Sequence, residues 1–236
     1  VPGEGIDIAL AIDISSSMST TRFDGQRSRL DVTKEVIRDF IKGRKDDRIG
    51  IVAFQRDAIA LSPPTLDYPA LDRIVASLDS NLLPDGTGIG IGLATAVDLL
   101  EDSDATSRIV VLLTDGEHNA QSIAPLDAAG LAAALHLRVY TIGVVEAKGR
   151  NGRDVGVDSD LLTKMAEQTG GRYFAADNPK ALTEVYDEIA RLETSRVGRE
   201  RFEQFTELAP FFLGAAAGLV ALELGLRGTW LRRAPA

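Results

Sequence analysis

Apolar runs and stretches of helical period alternate along this chain. Ile8-Ala9-Leu10-Ala11-Ile12 leads into Asp13, and Ile109 to Leu113 leads through Thr114 into Asp115. Uninterrupted runs of this length, rich in Ile and Val, predict strands buried on both faces of a parallel sheet. Arg48 to Phe54 and Arg138 to Val145 follow the same pattern, and Arg172 to Ala175 is a shorter strand. Between them the apolar positions repeat at helical spacing. Val36, Ile37, Phe40 and Ile41 share a face of a helix over Arg29 to Gly43, and Leu71, Ile74, Val75 and Leu78 share a face of one opened by Pro69. Further helices are expected up to Glu101, from Pro125, from an Asp158 cap to Gly170-Gly171, and from Asn178-Pro179 with Leu182, Val185, Tyr186, Ile189 and Leu192 inward.

Strands alternating with helices of this length predict an α/β fold with a doubly wound, mostly parallel sheet. One pair departs from it. Ala58 to Leu61 follows Phe54 after only three residues, too few for a crossover helix, so this strand is expected to be antiparallel at the sheet edge. Pro63-Pro64 is expected to stop it. Glu146 to Val157 is polar and glycine-bearing and reads as a loop.

The tail changes the pattern. Residues 208–226 are apolar except for Glu223, long enough as a helix to approach the ~30 Å bilayer core. Phe205, Phe211 and Phe212 lie at one end and Trp230 beyond the other, and Gly214 and Gly218 form a small-residue pair suited to close packing in lipid. A transmembrane helix is expected here, with Glu223 near its end, four residues from Arg227. Arg227, Arg232 and Arg233 follow without an acid, which points to a cytoplasmic C-terminus and an extracytoplasmic globular domain. The expected organisation is a linker over 1–5, the α/β domain over 6–195, a juxtamembrane linker over 196–207, the span over 208–226 and a basic tail over 227–236. The start at Val1 suggests that an upstream segment was removed.

Composition narrows the function. The 236 residues carry a net charge of −9, and the tail from Arg196 holds six Arg against four Glu, so the domain itself is the acidic part. Such a surface repels phosphates and argues against nucleic-acid binding. Cysteine is absent and there are two histidines, which excludes thiolate sites and makes a multi-histidine zinc site improbable.

In an open parallel sheet, ligands bind beyond the carboxyl ends of the strands. Asp13, Ser15, Ser17 and Asp115 are therefore expected at one edge, an oxygen-rich set suited to a hard divalent cation. The glycines of Gly86-Thr87-Gly88-Ile89-Gly90 superficially suggest a phosphate loop, but Leu82-Leu83-Pro84 before them makes no convincing strand, so no nucleotide is expected. Glu117, His118 and Asn119 read as a polar rim, Asp24 as a turn residue, and Arg22, Arg27 and Arg29 as solvated surface near the site.

On these residues the chain resembles the von Willebrand factor A (VWA) domain. Asp13-Ile14-Ser15-Ser16-Ser17, Asp85-Gly86-Thr87 and Thr114-Asp115-Gly116 are similar, in order, to its metal-ion-dependent adhesion site. Asp47-Arg48-Ile49-Gly50, Val139 to Val144 and Thr169 to Phe174 extend the likeness. With the tail, the chain resembles the bacterial BatA-type (aerotolerance operon) membrane proteins, which usually carry two spans before the domain. The resemblance implies a Rossmann-like VWA fold. Ser15, Ser17 and Thr87 would offer hydroxyls to Mg²⁺ or Mn²⁺, and Asp13 and Asp115 would hold it mainly through water. Neutral hydroxyls leave the cation under-neutralised, so a carboxylate from a protein partner is the expected added ligand. The resemblance also implies partners among other Bat-type proteins or a MoxR-type AAA+ ATPase. A non-enzymatic interaction module is the leading expectation. The alternatives are a metal-dependent hydrolase using His118 or Glu117 as base, and a membrane scaffold with a vestigial site.

Overall fold

A computed structural model describes residues 5–23, 25–116, 118–120, 123–145 and 156–193. The chain divides into two compact units, Val1–Glu193 and Thr194–Ala236. The described residues all lie in the first. The expected span over 208–226, residues 146–155 of the expected loop over 146–157, Asp24 and Glu117 lie outside them. Among the described residues no helix is long and apolar enough to cross a membrane.

Six strands form one sheet: β1 (Asp7–Asp13), β2 (Arg48–Phe54), β3 (Ala58–Thr65), β4 (Arg108–Thr114), β5 (Arg138–Val144) and β6 (Tyr173–Ala176). Their order is β3-β2-β1-β4-β5-β6. Every neighbouring pair is parallel except β2 with β3. The chain runs outward from β1 to β3 and then resumes on the other side of β1 with β4. The winding direction therefore reverses between β1 and β4, and such a reversal opens a crevice beyond the strand ends. Ile12 pairs with Leu113, so Asp13 and the residues after Leu113 are delivered side by side to that crevice.

The helices are α1 (Ser16–Thr20), α2 (Arg29–Lys42), α3 (Tyr68–Ala76), α4 (Ile89–Glu101), α5 (Pro125–Ala134), α6 (Ser159–Gln168) and α7 over residues 179–193. Alternation along the strands splits the core into two layers. Ala9, Ala11, Val52, Phe54, Val110, Leu112 and Val139 pack with Leu93 and Val97 of α4, Ala129 of α5 and Met165 of α6. The alternate positions Ile8, Leu10, Ile12, Ile49 and Ile51 are equally buried. Helices α2 and α7 add Ile37, Ile41, Leu182 and Ile189, and meet where the rings of Phe40 and Tyr186 stand 5.0 Å apart. Helix α2 starts where Ser28 and Asp31 form a reciprocal capping box, each side chain accepting from the other's backbone N–H.

Two expectations need correction. The prolines do not end β3, which continues through Pro63-Pro64 to Thr65. The pairing shifts register on either side of Ile51, as an edge strand can when a proline has no N–H to contribute. And Leu192 is only half-buried at the end of α7, where the fully buried residue is its neighbour Glu193.

Candidate metal centre

The turn after β1 is tightened by its own aspartate. Asp13 Oδ1 accepts from the Ser15 backbone N–H at 2.8 Å, and Oδ2 accepts from Thr114 Oγ1 at 2.5 Å. Ser15 then leads into α1, so Ser15 and Ser17 project from alternate positions of one tight turn, their hydroxyl oxygens 3.1 Å apart. Ser17 Oγ donates to Asp115 Oδ1 at 2.6 Å across 98 positions of sequence. Asp13, Ser15 and Asp115 are buried, and Ser17 is half-exposed.

Thr87 arrives from a third segment. Its backbone N–H donates to Asn119 Oδ1 at 2.8 Å, and its carbonyl accepts from Asn119 N at 3.0 Å. Gly116 leaves room for it: a Cβ there would stand 3.3 Å from Thr87 Oγ1, closer than a side chain tolerates without a shift. Gly86, at φ +139°, occupies a conformation that L side chains rarely adopt and turns the loop. Asp85 binds this loop to α1, accepting from Ser16 N at 3.1 Å and from Ser16 Oγ at 2.9 Å. Those two bonds, the backbone one first, hold the Asp85 carboxyl below the usual carboxylate range.

All five expected ligands, Asp13, Ser15, Ser17, Thr87 and Asp115, are thus brought to the crevice between β1 and β4. Electrostatics there are distinctive. Burial, and then the charge of Asp115, push the Asp13 carboxyl up to about 7 against the hydrogen bonds from Ser15 and Thr114. Two acids held this way in the interior favour a nearby cation. The donors are carboxylates and hydroxyls only, the chemistry of a hard divalent ion. Neighbouring ligands of an octahedral Mg²⁺ lie about 3 Å apart, from bonds of roughly 2.1 Å. The Ser15–Ser17 separation of 3.1 Å matches that value. Among the described residues no group of three or more His, Cys, Asp or Glu gathers anywhere, this crevice included, where two carboxylates are joined by hydroxyls.

The VWA model (von Willebrand factor type A domain) matches residues 7–188. This chain belongs to the VWA family. An uncharacterized protein of Borreliella burgdorferi is 33% identical over 187 residues, covering 74% of this chain and 54% of its own length. The chain therefore spans about half of that relative. Among solved structures, BatB from Bacteroides thetaiotaomicron is 25% identical with a TM-score of 0.66, covering 80% of this VWA chain and 98% of the BatB chain. An aerotolerance-related membrane protein from Bacteroides fragilis shares the fold at 24% identity and a TM-score of 0.63, covering 78% and 96%.

For three residues named in the sequence reading, the contacts they make here were not foreseen. Arg29 is not solvated surface: it is buried, and its Nη1 donates to Asp115 Oδ2 at 2.7 Å. A cation in the first turn of α2 opposes the helix dipole, and that mismatch is the signal that it has another partner. Arg27, by contrast, is exposed and pairs with exposed Glu35. Asn119 holds Thr87 in place rather than merely lining a rim, and Asp85 ties two loops together. His118 is half-buried beside Asn119, and burial lowers its pKa.

Proposed function

We propose that this VWA domain is a Mg²⁺- or Mn²⁺-dependent docking module for a protein carboxylate, not an enzyme. The observation that carries the reading is the hydrogen bond from Ser17 Oγ to Asp115 Oδ1, which joins the two strand-end segments at the crevice. Ser15, Ser17 and Thr87 would hold the ion directly, with Asp13 and Asp115 behind. When bound, the ion would supply a Lewis-acidic position for an Asp or Glu oxygen of a partner. Asp13 anchors the turn, Thr114 fixes Asp13, Asn119 sets Thr87, and Asp85 keeps α1 against the Thr87 loop. Each bond preorganises a hydroxyl before the partner arrives, which lowers the ordering cost of docking. The side chains bonded to Asp13 and Asp115 include those of Ser15, Thr114, Ser17 and Arg29.

The apolar stretch over 208–226 is proposed as the membrane anchor, with the domain extracytoplasmic and the basic tail inside. Bat-type proteins are the proposed partners, supported by the likeness to BatB. A MoxR-type AAA+ ATPase would have to meet a cytoplasmic segment. Crosslinking in native membranes, in Mg²⁺ and in EDTA, tests the docking. Capture of a partner that is lost in EDTA and in Asp13→Ala is expected; equal capture in all three removes the metal bridge.

A further inference from the structure

The Asp115 carboxylate is divided between two kinds of neighbour. Oδ1 faces the Ser17 hydroxyl at 2.6 Å, on the side of the other candidate ligands. Oδ2 faces the Arg29 guanidinium at 2.7 Å. Both partners of this ion pair are buried, Arg29 at 3% and Asp115 at 2% exposure. Arg29 is carried into place by α2, whose first turn is locked by the Ser28–Asp31 box, so its backbone is fixed one residue from a cap. Its position is further tied by a backbone bond from Arg29 N to Thr21 O at 3.0 Å, which links it to the segment after α1.

We propose that Arg29 is a built-in rival cation: a specificity-determining residue that weakens metal binding by the empty-handed domain and makes tight binding depend on an anionic partner oxygen. The proposal presupposes the docking function above. A permanent positive charge on one oxygen of a ligand carboxylate withdraws part of that carboxylate's charge from anything bound on the other side. It also repels a divalent cation in the same low-dielectric crevice. An anion added to the crevice is attracted by both positive charges, which favours a carboxylate over a neutral amide or hydroxyl ligand. Arg29 also orients Asp115: its donor keeps Oδ2 turned away and leaves Oδ1 toward Ser17.

Replacing the charge while keeping a donor separates these roles. In the full 236-residue chain, calorimetric titration with Mg²⁺ and with Mn²⁺ is expected to show Arg29→Gln binding about tenfold more tightly than wild type, with Arg29→Lys within about threefold of it. Thermal unfolding in EDTA is expected to show Arg29→Gln less stable than wild type, with the deficit largely recovered in millimolar Mg²⁺. If Arg29→Gln unfolds in EDTA, refolding on addition of Mg²⁺ supports the rivalry. A chain that stays unfolded with metal overturns it, since Arg29 would then be a structural support. Metal binding by Arg29→Gln no tighter than by wild type overturns the inference and leaves the metal site standing. Absence of binding by wild type and variant alike removes both, whereas binding by the variant alone shows Arg29 masking the site.

Discussion

The two edges of the sheet treat buried acids in opposite ways. At the edge where β1, β2, β4 and β5 begin, every buried acid is gripped by an arginine fork. Asp7 receives Arg48 Nε at 2.7 Å and Nη2 at 2.8 Å, with Ser103 Oγ at 2.5 Å. Glu193, at the end of α7, receives Arg138 Nε and Nη2, the Ser107 hydroxyl at 2.9 Å and the Tyr140 hydroxyl. At the opposite edge Asp13 is met by the Ser15 and Thr114 side chains and a backbone N–H, with no arginine, and Asp115 receives a hydroxyl and Arg29. The consequence is visible in the acids themselves. Burial raises the pKa of Glu193, but Arg138, Tyr140 and Ser107 outweigh it and hold the group below the usual glutamate range. Burial wins at Asp13. Asp7 and Glu193 come with arginine forks; Asp13 has no counter-charge, and Asp115 gives one oxygen to Arg29 and keeps the other toward the crevice.

The sharpest break of this contrast is at Arg138. Arg138→Leu leaves Glu193 buried beside Ser107 and Tyr140 without its fork, and breaking such a pair costs about 3–5 kcal/mol. Urea denaturation in EDTA is the measurement, and metal affinity of the folded fraction is expected to be unchanged. A loss below about 1 kcal/mol would mean that this edge is no more than surface decoration.

The same pair predicts a pH dependence with a definite sign. The folded pKa of Glu193 lies below its unfolded value, so its contribution is fully present above the ordinary glutamate range and is lost as pH falls through the folded pKa. The stability gap between wild type and Glu193→Gln is expected to be constant at neutral pH and to shrink on acidification below about pH 4.5, the ordinary glutamate value. Denaturant midpoints across that range check it, and a gap that widens on acidification would reverse the assignment.

Asp13→Asn sharpens the comparison from the other side. In EDTA it removes a buried charge that has no cation of its own, so it is expected to leave stability unchanged or raise it by about 1–2 kcal/mol. Calorimetric Mg²⁺ binding is expected to fall about ten- to a hundredfold, the loss typical when a metal site is stripped of a supporting group. Opposite signs for Asp13→Asn and Arg138→Leu are the test that the two edges differ in purpose.

Which parts of this could be read from the chain follows from how far each feature reaches. Strands β1, β2, β4 and β5 were legible because their burial is continuous in sequence. Asp13, Ser15, Ser17 and Asp115 were legible because each lies at or just beyond a strand end. The passage of β3 through Pro63-Pro64 was not, because a proline reads as a stop unless its own pairing in the strand is known to need no N–H. Arg29 was misread as solvated because its burial depends on a partner 86 positions away, and Glu193 went unnoticed because its fork comes from the start of β5, 55 positions back. Thr87 was placed by its resemblance to a motif, but what holds it there, Asn119, is visible only in three dimensions.

The smallest expected effect concerns how the crevice is kept in shape. Asp85 is exposed to solvent through its bonds to Ser16, so Asp85→Ala should cost only about 0.5–1 kcal/mol of stability. Its influence on the site should be larger than that. Ser16 lies between the two hydroxyl residues, Ser15 and Ser17, and Asp85 is two residues before Thr87, so one carboxylate sets the spacing of three candidate ligands. Releasing it leaves the ligands present but less well ordered, and a loss of Mg²⁺ affinity of about three- to tenfold is expected with little change in unfolding midpoint. Asp85→Asn, which keeps one acceptor for Ser16 N, should restore part of that affinity. Affinity and stability falling in proportion would instead make Asp85 an ordinary loop contact, and the preorganisation of the crevice would have to come from Asp13 and Asn119 alone.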